Sequence, residues 1–404
     1  MLALVAWRNV WRNKTRSLVL LCSVILGIWG GTFIMAFSWG MVEQYVKIAI
    51  EGQVSHIQLH NPEYKKDKDM RFTVRQPEQM LEKIRSIPGV KAVSARSIIN
   101  GMAASPSTGA GVSINGVIPA DEDSLTHIGD HIIDGNYFGE TKRNPVIIGE
   151  KLAHKLKAKT GSKIILTFQD TLNNIISGAF RVTGIYRTSN SGFDEMMVFV
   201  RASDLNAQTG QQGTAHEIAV LLDNNDQLPA VQAKLQKAYP HLLVENWKQI
   251  SPELSVMIDS LGQKMYAFIV IILLALAFGI VNTMLMAVLE RIRELGILMA
   301  IGMNRQRVFF MIMLETLYLS LIGGPAGVLL AWITVHYTGN AGIDLSAFGK
   351  GLSAYGMGTV VHPALPADKY FNILAMVFLT AIIAAIYPSI KALRLKPATA
   401  IRKI

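Results

Sequence analysis

The densest group of potential metal ligands in the sequence is formed by His127, Asp130, His131 and Asp134. Imidazole and carboxylate groups are common ligands of zinc. Their setting, IGDHIIDGNYFG, is equally typical of an exposed turn, and no second cluster of His or Cys at ligand spacing accompanies it. We therefore expect a structural or solvated segment here, with no metal.

The familiar motifs of covalent and nucleotide chemistry are absent from the sequence. It has no GxSxG, HExxH, CxxC or P-loop pattern. Gly109-Ala110-Gly111 lacks the later glycine of a dinucleotide fingerprint. We expect no catalytic residue and no cofactor bound by this chain. Its single cysteine, Cys22, is predicted to be a buried apolar thiol.

Long apolar stretches dominate the sequence, which is 50% hydrophobic and only 17% charged. Residues 17–42, 265–289 and 371–390 carry no charge, and residues 308–335 carry one acid, Glu315. Each stretch reaches the length of about 20 apolar residues that crosses a bilayer core. We predict four transmembrane helices, at 18–42, 265–289, 308–335 and 371–390.

The first apolar stretch has an alternative interpretation as a cleaved signal peptide, because basic residues precede it and Ala36-Phe37-Ser38 resembles a cleavage site. Its apolar run, 18–36, is longer than the usual hydrophobic region of about 7–15 residues. We therefore expect it to remain as a membrane anchor.

The placement of the charged residues predicts the orientation of the chain in the membrane. Residues 1–17, 290–307 and 391–404 carry thirteen basic and two acidic side chains, whereas the rest of the chain is close to neutral. Positive loops favour the cytoplasm, so both termini and the 290–307 loop are predicted inside, with 43–264 and 336–370 outside. Because the basic residues flank the membrane, lipid is an expected partner and nucleic acid is not.

The 43–264 segment reads as a mixed α+β domain. Strand-like runs alternate with helical patterns. The predicted strands are 54–59, 112–117, 145–148, 163–168, 180–186, 196–200 and 217–222, and the predicted helices are 77–87, 150–159 and 227–239.

Apolar spacing continues beyond the first two membrane helices and predicts two helical stalks that pack together. The alternative is a pair of ordinary amphipathic linkers. The stripes are Val42, Tyr45, Val46 and Ala49 after the first span, and Leu254, Met257, Ile258 and Leu261 before the second.

The loop ERIRELGILMAIGMNRQR, 290–307, combines charged ends with one apolar side. Oppositely charged residues lie three apart in the pairs Glu290/Arg293 and Arg291/Glu294, a spacing that allows pairing on a helix. A short interfacial helix is predicted, with a basic loop that only fixes topology as the alternative. Its apolar stripe is Ile292, Leu295, Leu298 (or Met299) and Ile301, interrupted by Gly296 and Gly302.

Glu315 is an acid inside a predicted membrane helix, where an ionisable group is costly. We expect either structural pairing with a nearby arginine or a role in coupling. Small residues four apart predict close helix contacts. These pairs are Gly27/Gly31, Ala275/Gly279 and Gly323/Gly327, and the prolines that could kink helices are Pro325 and Pro388.

The stretches ERIRELGILMAIGMNRQRV and MLETLYLSLIGGPAG resemble the signature of the FtsX-like permeases, also called MacB-like or type VII ABC transporter permeases. The opening AWRNVWRNKTRSLV and the closing YPSIKALRLKPATAIR agree with this. GSKIILTF, FRVTGIY and MMVFVRASDL are similar to the family's periplasmic core domain. The resemblance covers essentially the whole chain.

The resemblance implies four transmembrane helices with a large extracytoplasmic α+β domain, a MacB-like periplasmic core, between the first two. It implies a dimer with a second permease copy or paralogue in a bacterial inner membrane. A separate cytosolic ABC ATPase would bind ATP and Mg²⁺, and its motion would be transmitted through the stalks. The implied ATPase-coupling residues are Glu290, Arg291, Arg293, Glu294, Leu295, Gly296, Leu298, Ile301 and Gly302.

Two further stretches with less specific motifs are similar to lipoprotein-releasing LolC/LolE permeases. They are SWGMVEQYVKIAIEGQVSHIQLHNPEY and GIDLSAFGKGLSAYGMGTVVHP. This implies lipoprotein transport to a periplasmic chaperone or adaptor. The alternatives are MacB-type efflux of drugs or peptides and FtsX-type regulation of a periplasmic hydrolase. The residues expected to face a lipid anchor are Phe37, Met41, Val42, Met257 and Leu261.

Overall fold

The structure is a computed structural model that describes residues 2–138 and 144–393. It divides into two compact units. The helical unit comprises Met1–Val42, Ile258–Asp344 and Val360–Ile404, and the sheet unit comprises Glu43–Met257 and Leu345–Thr359.

The helices are α1 (Leu2–Arg12), α2 (Lys14–Ala49), α3 (Tyr64–Asp67), α4 (Pro77–Arg85), α5 (Pro119–Thr126), α6 (Glu150–Leu156), α7 (Ser191–Met196), α8 (Ala202–Thr209), α9 (Leu228–Ala238), α10 (Trp247–Ile250), α11 (Pro252–Glu290), α12 (Ile292–Ala300), α13 (Arg305–Ala341), α14 (Gly349–Ala354) and α15 (Ala367–Leu393). The strands are β1 (Ile57–His60), β2 (Val74–Arg75), β3 (Val90–Ala104), β4 (Gly109–Val117), β5 (Ile132–Gly135), β6 (Pro145–Gly149), β7 (Lys163–Gln169), β8 (Ile175–Tyr186), β9 (Met197–Arg201), β10 (Thr214–Ala215), β11 (Glu217–Leu222), β12 (Leu243–Asn246), β13 (Ile343–Asp344) and β14 (Val360–Val361).

Four helical segments of the described chain are long and apolar enough to cross a membrane: Ser17–Val54, Pro252–Glu290, Arg305–Ala341 and Ala367–Leu393. They include all four predicted spans. The first two run past the predicted span ends, α2 to Ala49 and then a π-helical turn to Val54, while α11 starts at Pro252. Packing of the two extensions against each other stays a prediction.

Glycines allow the membrane helices to approach closely. A Cβ added at Gly323 or Gly327 of α13 would lie 2.9 Å from side-chain atoms of Val24 or Ile28 on α2. A Cβ at Gly31 would lie 2.8 Å from Ile272 of α11. The small-residue pairs in α2 and α13 are therefore used within the chain.

Cys22 corrects one expectation, because its side chain is exposed on α2 instead of buried. The outward face of a membrane helix needs no protein partner, since lipid is as apolar as a packed core.

The sheet unit is built on a ten-stranded mixed sheet with the order β12-β1-β11-β3-β4-β9-β6-β8-β5, in which β7 pairs with β3 and β8. Its apolar core lies under α6 and α8, with Leu152, Leu156 and Leu205 fully buried. The predicted strands are present in the sheet, although the 54–59 run starts as π-helix and β1 begins only at Ile57. The longest strand, β3, was not predicted.

Candidate functional site

The short helix α12 stands between two membrane helices, α11 and α13. Leu295 is buried in the core of the helical unit and holds α12 in place. The opposite side leaves Ile297 and Ile301 42% and 80% exposed. Gly302, with φ of +106°, ends the helix in a conformation that favours glycine. An amphipathic helix that keeps large aliphatic side chains exposed is suited to contact another protein.

The structure shortens the predicted coupling helix. Glu290 is the last residue of α11, Arg291 precedes α12, and Ile301 and Gly302 follow its end. The glycine that lowers helix propensity, Gly302, is the physical reason that the helix stops early.

The predicted coupling residues lie on different sides of α12. Arg293 and Glu294 are exposed, Leu298 is half-buried and Gly296 is buried. Sequence reasoning missed Ile297, although its spacing of four from Arg293 and from Ile301 places the three on one helix face.

Glu315 of α13 has two polar partners. Asn9 of α1 donates a hydrogen bond from Nδ2 to Glu315 Oε1 at 2.7 Å. Arg291 lies 3.3 Å from the other carboxylate oxygen. The Glu315 side chain is only 8% exposed, so these contacts compensate an otherwise costly charge. The structure thus contains the contact with a nearby arginine that was one of the two expectations, while a coupling role of Glu315 stays a prediction.

Glu294 connects α12 to the N-terminal helix. Arg12 donates two hydrogen bonds to its carboxylate, at 2.8 and 2.7 Å, and Arg291 lies 3.6 Å away. The hydrogen bond from Arg12 is the largest cause that holds the pKa of Glu294 below its ordinary value. We call Asn9, Arg12, Arg291, Glu294 and Glu315 the helix-end cluster.

A cavity of about 220 Å³ adjoins the helix-end cluster. It is lined by four cluster residues together with other polar and apolar side chains of α1, α2, α11 and α13 and of the α1–α2 link. The polar lining includes Asn13, Ser17, Thr283 and Glu290.

Helix α1 was not predicted from the sequence, which assigned 1–17 to a cytoplasmic N-terminus. Ala6 and Val10 are buried, whereas Leu4 and Trp11 are exposed. Trp7 packs edge-on against Tyr318 of α13, with ring centroids 5.5 Å apart. The signal that could have revealed it is the spacing of four between the small apolar residues.

A second charged cluster lies in the sheet unit. Arg96 of β3 forms ion pairs with Glu122 at 2.8 Å and Glu217 at 2.9 Å. It also donates to the Gln53 carbonyl at 3.1 Å, in the π-helical turn. A cavity of about 360 Å³ adjoins this cluster and is lined by polar side chains such as His60.

The residues predicted to face a lipid anchor are not gathered on an exposed surface. Val42 is buried, on the helix face that also carries buried Val46, and a contact of these residues with a lipid anchor stays a prediction. Phe37, Met41 and Met257 are half-buried, and the side chain of Leu261 lies outside the described part of the structure. Exposed aromatic and aliphatic side chains occur instead on α11, at Phe268, Ile271, Leu274 and Phe278.

Three of the candidate metal ligands make ordinary polar contacts in the structure. His127 Nδ1 is 4.0 Å from Asp130, and Thr160 donates to Asp134 at 2.6 Å. Within 2–138 and 144–393, no group of three or more His, Cys, Asp or Glu side chains is arranged to hold a metal ion.

The described chain has four membrane-type helices, with a large α/β unit between the first two in sequence and a short helix between the second and third. Residues 17–238 match the family described as MacB-like periplasmic core domain, and residues 266–397 match the FtsX-like permease C-terminal family. The chain therefore belongs to this family of ABC transporter permeases.

Three relatives are proteins of ABC transport systems, and two of them are named for different cargoes. The lipoprotein-releasing system transmembrane protein LolC of Neisseria meningitidis is 22% identical, over 72% of this chain and 73% of that protein. An ABC transporter permease of Methanocaldococcus jannaschii is 23% identical over 98% of this chain and 96% of its own length. The macrolide export ATP-binding/permease protein MacB of Brucella abortus is 28% identical over 55% of this chain and 33% of that protein.

Proposed function

We propose that this chain is a permease subunit that uses the motion of a separate cytosolic ABC ATPase to release lipid-anchored proteins from an inner membrane. ATP and Mg²⁺ bind to the ATPase and not to this chain. Helix α12 docks onto the ATPase, and α2 and α11 transmit its motion to the sheet unit. The working unit is a dimer of permease copies or paralogues, with α12 in the cytoplasm.

The observation that carries the proposal is the exposed side of α12. Ile297 on α12 and Ile301 just after its end are large aliphatic residues left exposed, while Leu295 fixes the other side of the helix. Arg293 and Glu294 flank them and are exposed. This combination of an apolar centre with a charged rim is the usual composition of a protein interface.

The choice of cargo rests on the LolC match, which covers nearly three quarters of both chains. The MacB match is higher in identity but covers one third of that protein. MacB-type export is therefore the second candidate, and the cargo assay has to compare the two.

Docking is tested by Ile297→Asp with Ile301→Asp in the full-length permease, purified in detergent with a candidate ABC ATPase. Both positions are exposed, so the permease should fold normally while ATPase binding falls at least about tenfold, the usual loss for an interface anchor. Leu172→Asp is the matched control, since Leu172 is 78% exposed in the sheet unit. Unchanged binding in the double variant would refute docking through α12.

Cargo is tested with the permease and its ATPase reconstituted in vesicles. Addition of ATP should release an acylated lipoprotein to a soluble chaperone. ATP-dependent movement of a macrolide without lipoprotein release would support the export alternative and overturn the lipoprotein assignment.

A further inference from the structure

We propose that the N-terminal helix α1 positions the coupling helix α12 through the helix-end cluster, so that Asn9 and Arg12 control how tightly α12 follows the membrane helices. The inference rests on the proposed function only for its role in coupling. The positioning itself is a property of this chain and can be measured without an ATPase.

The first link runs from α1 to α13. Asn9 donates to Glu315 at 2.7 Å, across 306 residues of sequence. Glu315 lies within a membrane-type helix and is nearly buried, so it strongly favours hydrogen-bond donors. Asn9 and Arg291 are the two donors that the structure places on it within the described residues.

The second link runs from α1 to α12. One terminal nitrogen of Arg12 donates a hydrogen bond to each oxygen of the Glu294 carboxylate. Arg291 lies at the joint between α11 and α12, with φ of −104° and ψ of 16°, which is outside helical geometry. It contacts both Glu294 and Glu315. Helix α1 therefore contacts both carboxylates that Arg291 contacts, one on α12 and one on α13.

The apolar contacts of α1 attach the helix, and its polar contacts fix its orientation. Ala6 and Val10 are buried, and Trp7 packs on Tyr318, so α1 stays on the membrane helices without its polar contacts. The contacts of Asn9 and Arg12 are directional, so they fix orientation more than attachment. The adjoining cavity of about 220 Å³ gives the Arg291 side chain room to move when these contacts break.

A reciprocal swap tests the buried link without changing the exposed side of α12. Asn9→Asp alone places two carboxylates side by side, while Asn9→Asp with Glu315→Gln restores one carboxylate and one amide. Hydrogen–deuterium exchange of the α12 amides is measured on the full-length permease in detergent, without ATPase. We expect exchange about tenfold faster in Asn9→Asp, the loss typical of a hydrogen bond to a charged group, and near wild type in the double variant.

Unchanged α12 exchange in Asn9→Asp, or no recovery in the double variant, would overturn the proposal. If Asn9→Asp fails to fold, Arg12→Gln decides, because its side chain is half-exposed. Arg12→Gln should speed α12 exchange about two- to fivefold, as expected for an exposed ion pair. The matched control is Arg8→Gln, an exposed arginine on the same helix and outside the cluster, which should leave exchange unchanged.

A functional readout separates this inference from the proposed function. With a bound ATPase, Asn9→Asp should retain ATPase binding and lose most of the stimulation of ATP hydrolysis by cargo, and the swap should restore it. If the wild-type permease binds no ATPase, the proposed function fails while the exchange result still decides the positioning role. If ATPase binds and Asn9→Asp changes exchange but not stimulation, the coupling role of α1 is wrong.

Discussion

The two units each contain an arginine between two glutamates, and the two clusters are built differently. In the sheet unit, Arg96, Glu122 and Glu217 are all nearly inaccessible to solvent and lie 2.8–2.9 Å apart. In the helical unit, Arg291 lies 3.3 Å from Glu315 and 3.6 Å from Glu294, whose side chain is half-exposed.

The difference indicates which of the two charged clusters is the more rigid. Arg96 contacts two carboxylates and a carbonyl in a low-dielectric interior, so separating these groups costs much free energy. Both clusters adjoin a polar cavity, but the contacts of Arg291 are longer and its partner Glu294 is half-exposed, so water can replace these partners more easily. Elements that move during function come from the less stable contacts of a fold.

Removal of the positive charge from the Arg96 cluster should have the largest effect on stability. Arg96→Met leaves Glu122 and Glu217 buried without their cation, and should cost about 3–5 kcal/mol of stability. Chemical denaturation of the sheet unit within the full-length permease measures this. Arg181→Met, at an exposed arginine of β8, is the control. A loss below about 1 kcal/mol would show that water reaches the cluster and would remove the contrast between the units.

Acid should destabilise the sheet unit through His56. Burial is the main cause that lowers the pKa of His56 to about 4 from an ordinary 6.5, and Lys91 adds to it. The neutral ring accepts a hydrogen bond from the Leu222 amide at 3.2 Å.

Because the folded pKa lies below the unfolded one, the contribution of His56 is complete above pH 6.5. It is lost as pH falls through 6.5 towards about 4, by about 3 kcal/mol in total. His56→Gln can accept the same hydrogen bond but does not titrate. The denaturation midpoint of the wild type should fall relative to that of His56→Gln over this range, and parallel pH profiles would contradict the prediction.

The helix-end cluster should tolerate loss of its central cation, Arg291, better than the Arg96 cluster tolerates loss of Arg96. Arg291→Met leaves Glu315 with Asn9 and access to the polar cavity, so we expect a cost of about 1–3 kcal/mol, less than for Arg96→Met. Hydrogen exchange of α12 and of the adjoining turn of α13 measures the change. A cost as large as that of Arg96→Met would show that the helix-end cluster is as rigid as the buried one.

High salt should weaken the two clusters to different extents, and this is the smallest of the expected effects. At about 1 M salt the Debye length is about 3 Å, so the exposed Arg12–Glu294 pair should lose at most about 1 kcal/mol. The Arg96 cluster should respond less, because its side chains are at most 7% exposed and its contacts are shorter. Exchange rates of α12 and β3 amides at low and high salt provide the comparison, and equal responses would contradict it.

Sequence patterns predicted the features that repeat locally. Long uncharged runs marked the four membrane-type helices, and β-branched runs such as 217–222 marked strands. Strand β3 was missed because its sequence, VKAVSARSIINGMAA, mixes small, polar and apolar residues without a clear alternation. Its length comes from pairing with three other strands, which no local pattern records.

The site was less predictable than the fold. The charged loop pointed to a helix near α12, since pairs three apart are visible in sequence. The partner of Glu315 on α1 was not visible, because 306 residues separate it from Asn9. The same holds for Arg96 and Glu217, which are 121 residues apart. Such contacts depend on tertiary packing and leave no periodic signal.

The sheet unit also contains a stretch taken from far along the chain, Leu345–Thr359, whose Gly356 packs close to Asn190 and Tyr45. A water-soluble fragment cut out as 43–257 would therefore lack one of its own pieces and would expose the surface that this stretch covers. Fusing 345–359 to such a fragment through a flexible linker should give a better-behaved protein for crystallisation than simple excision.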